Sequence, residues 1–92
     1  MQGKMTILYT DGTKTEKVYT GSTPELEDMQ EAVDGWLEGV PVKSLGRGVL
    51  FANEEGLLRG LPFNEQASSL AGRPLVGNVV VLTGDKEFMD AL

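Results

Sequence analysis

The sequence predicts a single α+β domain: an antiparallel sheet of four or five strands, one main helix packed on one face and a short second helix. Three observations carry that expectation. The first is a pair of segments rich in β-branched and aromatic residues, 5–10 and 15–20, joined by Asp11-Gly12-Thr13. An Asp-Gly pair closes hairpins because it tolerates positive φ. The second is a stretch over about 23–34 in which apolar residues recur at spacings of three and four, the stripe of an amphipathic helix. The third is the run Val76-Gly77-Asn78-Val79-Val80-Val81-Leu82, apolar enough to be a central strand. With 92 residues, 40% of them hydrophobic, the chain has material for one core and too much apolar surface to stay disordered.

Taken in order, the elements begin with a hairpin over about 4–20. Ser22 or Thr23 is placed to cap the main helix, Pro24 fits its first turn and Glu25 completes a capping box with Ser22. Leu26, Met29, Val33 and Leu37 form its core-facing stripe, and Gly35 suits the left-handed position that ends it. Residues 36–42 alternate as a strand that Pro41, lacking an N–H, confines to an edge or a bulge. Ser44-Leu45-Gly46-Arg47-Gly48 is a loop. Residues 49–53 form a strand, Asn53-Glu54-Glu55-Gly56 a tight turn with Gly56 at positive φ, and residues 57–59 a second strand closing another hairpin. Pro62 then ends the ladder, and Asn64 caps a short helix over 65–71 that buries Ala67, Leu70 and Ala71 and stops at Gly72. A strand over 76–82 and a last helical piece over 86–91, carrying Phe88 and Met89, complete the chain. Trp36 and Phe63 are expected in the core or, if exposed, as anchors for a partner.

Composition excludes several function classes. Fourteen acidic against eight basic residues give a net charge of −6, which repels phosphate backbones, so neither direct nucleic-acid binding nor binding to a membrane is expected. Without cysteine there is no disulfide, thiolate metal site or thiol nucleophile, which suits a reducing cytoplasm. Without histidine the usual general base and the commonest metal ligand are missing. The N-terminal segment has no apolar signal-peptide core, and the longest apolar run, 79–82, is far too short to span a bilayer. No Ser-x-x-Lys occurs, and the adjacent Glu54 and Glu55 point apart, so a metal-dependent enzyme using them with the Asn53 carbonyl is the weakest reading. The sequence thus indicates no catalytic residue, no metal and no cofactor.

What it does offer is charge. Glu25, Glu27, Asp28, Glu31, Asp34 and Glu38 follow one another with no Lys or Arg before Lys43. The acids of the first turn complement the helix dipole, whereas Glu27 and Glu31, one turn apart, repel by a few tenths of a kcal/mol. Such a face is either plainly solvated or a surface for a basic partner. In the central stretch VLFANEEGLLRGLPFN the turn, strand exit and cap account for Gly56, Gly60, Pro62 and Asn64; Glu54, Glu55, Arg59 and Phe63 are left over.

Three segments, LEDMQEAVDGWLEGVPV, FANEEGLLRGLPFN and VGNVVVLTGD, resemble a group of small proteins of bacteriophages, plasmids and bacteria known as domain of unknown function 3846. The shared pattern is a Leu-x-x-Met/Leu-Gln-x-x-Val-Gly-Gly helix end, an Asn-Glu-Glu-Gly turn and a Gly-Leu-Pro-x-Asn segment, and the likeness covers roughly 26–85. Asp34 departs from it, standing where the pattern has the first of two glycines. The resemblance implies a compact α+β fold and a phage or mobile-element setting, and it implies no established activity. The expected function is therefore binding: a small acidic protein that blocks a host protein, such as one of a defence system, through a basic surface. The expected contacts are Glu27, Asp28, Glu31, Asp34, Glu38, Glu54, Glu55 and Phe63. The alternative is a protein that sequesters a nucleotide or signalling metabolite between the subunits of a homo-oligomer. Its ligand residues would be Arg47, Arg59 and Arg73 for phosphate and Asn53 and Asn64 for polar edges.

Overall fold

Five strands and three α-helices follow one another in the computed structural model, which describes residues 1–92. They are β1 (Gln2–Leu8), β2 (Lys14–Thr20), α1 (Leu26–Val33), β3 (Leu37–Val40), β4 (Val49–Asn53), α2 (Glu65–Ala71), β5 (Val79–Gly84) and α3 (Lys86–Asp90). The strands form one antiparallel sheet in the order β2-β1-β5-β4-β3. β5 is central and buried on both faces, which is why it reads as a continuous apolar run. Val79 and Val81 join one core cluster with Leu8, Val40, Leu50, Ala52 and Ala67. Val80 and Leu82 point the other way, into a cluster with Met5, Met29, Val33 and Phe88. α2 thus contributes to one cluster through Ala67, while α1 and α3 contribute to the other.

The N-terminal hairpin forms as expected, with Gly12 at φ 90° in its turn. The main helix is shorter than expected and starts differently. A proline disfavours helical backbone in the residue before it, and Glu25 is still extended at ψ 147°, so the helix begins at Leu26 with no side-chain cap from Ser22 or Thr23. Leu26 then falls off the buried stripe and is 53% exposed, leaving Met29 and Val33 as its buried residues. At the other end the left-handed position falls on Asp34 (φ 61°), one residue before Gly35.

The edge expected of the strand before Pro41 is observed, although only Leu37–Val40 pair. The second hairpin is not formed. β4 is already paired on both sides, to β3 and β5, so residues 57–59 have no edge to join. They wind instead into one helical turn: the Arg59 N–H donates to the Glu55 carbonyl (2.9 Å) and the Leu61 N–H to the Gly56 carbonyl (3.1 Å). Gly60, at φ 65°, closes that turn as a left-handed stop. Gly56 does not adopt positive φ; a Cβ there would lie 2.9 Å from Val76 Cγ2, so close packing is what excludes a side chain. The last strand starts at Val79, and Val76 forms only an isolated bridge with Phe63.

α2 has its expected limits, capped by Asn64 and ended by Gly72 at φ 69°. α3 is docked by the fully buried Phe88 and capped by Asp85, whose carboxylate accepts the N–H groups of Phe88 and Gln2, both at 2.9 Å. The Phe88 amide, and after it the Gln2 amide and the terminal ammonium group, hold the Asp85 carboxyl below its ordinary value of 3.8. A carboxyl depressed by folding stabilises the fold above its unfolded pKa, and that contribution is lost as pH falls through the folded one. Asp85→Asn should therefore lose less thermal stability than the wild type on acidification below about pH 4, as followed by circular dichroism.

Candidate functional site

The residues singled out in the sequence divide by what holds them. Asn53 and Asn64 are 5% and 0% exposed, and neither offers a free polar edge to a ligand. Asn53 Nδ2 donates to the carbonyls of Val33 and Asp34, both at 2.9 Å, and its Oδ1 accepts the Glu55 N–H at 2.8 Å. A Cβ on Gly35 would stand 2.7 Å from that Nδ2, so the helix end can meet Asn53 only through glycine. Arg59 is also engaged. Its guanidinium donates to the Asp34 carboxylate at 2.8 Å and to the Asp34 carbonyl. The C-terminal carbonyls of α1 are thus satisfied by side chains from the Asn53–Arg59 turn, and the Asn64 amide is spent on the Leu8 and Gly77 carbonyls and the Ala67 N–H, so the polar groups expected for a ligand at Asn53, Asn64 and Arg59 are engaged within the fold.

The same contacts change the acidic set. Asp34 is charge-paired, while Glu27, Asp28 and Glu31 remain exposed on α1. Glu38 does not lie with them. It faces Ala52 across the β3–β4 ladder, on the side of the Leu50 and Val81 cluster, opposite the side buried by α1. There Glu38 and Glu54 flank a groove of about 310 Å³, whose apolar wall comes from Ala52, Leu57, Leu58 and Pro74 and whose one cation is Arg73. Of the five ligand residues expected from the sequence, Asn53 and Arg73 line this groove; Arg47 is exposed elsewhere, in the loop before β4.

The residues missed are Leu57 and Leu58, 84% and 88% exposed. Read as a strand they had a core to enter. Gly60 was the available sign, since a glycine five residues after Glu55 can close a helical turn as well as end a strand. Trp36 (66% exposed) and Phe63 (56%) are likewise outside the core, the exposed one of the two placements expected for them. Trp36 lines a separate shallow depression with Gln30 and Gly35, and its carbonyl accepts the Glu54 N–H at 2.9 Å. The Leu57–Leu58 turn is therefore fixed at both ends, by Glu54 and Asn53 on one side and by Arg59 and Gly60 on the other, while its side chains meet solvent.

No group of three or more carboxylate, thiol or imidazole residues is gathered closely enough to hold a metal ion, and no helix is long and apolar enough to cross a membrane. The fold and the site define a small α+β domain with a five-stranded antiparallel sheet, carrying an exposed dileucine turn beside a groove of mixed charge. The chain belongs to the family described as Domain of unknown function (DUF3846), whose family model matches residues 5–91. No curated protein and no solved structure matches it.

Proposed function

We propose that this chain is a non-catalytic binding protein of a phage or mobile element, which acts by occupying a basic, partly apolar surface on a host protein such as one of a defence system. The observation that carries this reading is the pair Leu57 and Leu58. Leaving a leucine in water forgoes about 1.5–3 kcal/mol relative to burying it, and here two adjacent ones are held out on a turn pinned at both ends. A partner that covers them recovers that energy on a turn whose shape is already set. The charge beside them selects the partner. Glu38 and Glu54 outnumber Arg73 at the groove, and Glu27, Asp28 and Glu31 add steering toward cations from α1.

The same charges weigh against sequestration of a phosphorylated metabolite. The groove sits at the small end of the ligand-pocket range of about 300–1,000 Å³, and it sets two carboxylates against one guanidinium. It suits one or two side chains, an apolar one and a Lys or Arg, better than a nucleotide.

The test is affinity capture from host lysate with the captured protein identified, using the wild type and Glu27→Lys/Glu31→Lys. A stoichiometric partner with a basic face, retained by the wild type and lost by the doubly substituted, folded protein, is the expected result. Release of an ultraviolet-absorbing small molecule on denaturing purified protein, with no protein captured, would favour sequestration instead.

A further inference from the structure

The two edges of the sheet are guarded differently. β3 pairs over only four residues and runs into Pro41, so a further strand has little to grip. β2 presents seven residues, with no proline and no bulge in its register with β1. Which of its backbone groups are free follows from the ladder. The Gly21 N–H donates to the Met1 carbonyl and the Tyr9 N–H to the Thr13 carbonyl, so the odd-numbered positions of this hairpin are its hydrogen-bonded pairs. Lys14, Glu16, Val18 and Thr20 must then turn their N–H and C=O groups outward. On the same even-numbered positions stands Val18, a β-branched residue 71% exposed in mid-strand.

We propose that β2 is a self-association edge, and that it pairs antiparallel with β2 of a second copy of this chain about a two-fold axis through Val18. Registers that keep both sheets continuous superpose residues of the same parity, and their centre decides the charges. Centred on Glu16 or Lys17, the pairing sets like charges directly opposite each other. Centred on Val18, it exchanges hydrogen bonds between the two valines and between Glu16 and the second copy's Thr20. Lys17 then faces Tyr19 of the other copy, the residue type over which it already stands within its own chain, 5.1 Å from the ring centroid. Lysines commonly protect an edge, but Lys17 projects to the sheet face that carries Tyr19 and not along the edge itself. Centres at Glu16, Lys17 and Val18 are those that overlap five or more residues of the two β2 strands, since a centre at Thr15 or Tyr19 overlaps only three; of these the Val18 register is the one that opposes no like charges, and it joins the two sheets into one without drawing on the Leu57–Leu58 groove.

Sedimentation velocity from micromolar to millimolar concentration tests this with three variants. The wild type should show a concentration-dependent dimer. Val18→Pro deletes the outward N–H that the pairing needs and spares every bond to β1, so it should be monomeric with an unchanged circular dichroism spectrum. Thr20→Glu places like charges opposite Glu16 twice in the dimer and should weaken it by about fivefold or more, whereas Thr20→Lys should tighten it. A wild type that stays monomeric throughout overturns the proposal, as does a dimer indifferent to the charge at position 20. A dimer that survives Val18→Pro, or a β2 edge found paired with a peptide of another protein in its place, overturns it as well.

Discussion

Replacing Asn64 by alanine lowers the stability of the fold by about 3–4 kcal/mol, a large share of the 5–15 kcal/mol typical of a domain. The side chain is fully buried and uses both ends: Oδ1 accepts the Ala67 N–H at 3.0 Å, and Nδ2 donates to the Leu8 and Gly77 carbonyls, both at 2.9 Å. It therefore ties the start of α2 to the end of β1 and to the segment leading into β5. Alanine removes the cap, costing about 1 kcal/mol, and takes the side-chain donor from two buried carbonyls, at about 1–3 kcal/mol each before water or relaxation offsets part. In a domain of this size the melting temperature should fall by about 15–25 °C. Asn64→Asp keeps the acceptor for Ala67 but aims a carboxylate at two carbonyls, so it should not rescue the loss at neutral pH. A fall of only about 5 °C would show that Asn64 is a replaceable cap.

Asn53→Ala should cost about 2–3 kcal/mol, and its effect should be local as well as global. Its amide holds the Val33 and Asp34 carbonyls at the end of α1, and its Oδ1 holds the Glu55 N–H at the start of the dileucine turn. The Glu55 amide should consequently exchange with solvent much faster in Asn53→Ala than in the wild type, as measured by hydrogen exchange. Arg59→Ala provides the contrast. Its pair with Asp34 joins side chains 42% and 78% exposed, and an ion pair so wet contributes at most about 1 kcal/mol. Equal losses from the two substitutions would mean that the turn is held by charge, and not by the buried amide.

These residues also show which parts of the molecule were legible in the sequence. The first hairpin, α2 with its Asn64 cap and the central strand around Val80 were readable because local chemistry and tertiary placement agree there. The errors lie where partners distant in sequence decide. Residues 57–59 have a strand-like composition, but the partner they needed, β4, is taken on both sides by β3 and β5. Gly35 was placed at the left-handed position, whereas the approach of Asn53, eighteen residues on, is what demands a glycine there. Glu38 was grouped with the helix acids by sequence order, and the sheet turns it to the opposite side. The Asn-Glu-Glu-Gly-Leu-Leu-Arg motif thereby divides in two: Asn53, Gly56 and Arg59 build the turn, and Glu54, Leu57 and Leu58 are what it presents.

That division is tested most directly by titrating the captured host protein, by calorimetry, with the wild type and with Leu57→Asp/Leu58→Asp. Because both side chains are almost wholly in solvent, the double substitution should move the melting temperature by no more than about 2–4 °C. Affinity should fall by about a hundredfold or more, the loss expected when a buried pair of anchors is replaced by charge. An unchanged affinity with an intact fold would contradict the account, since the partner would then be held without the turn that the Asn53 and Arg59 contacts keep in place.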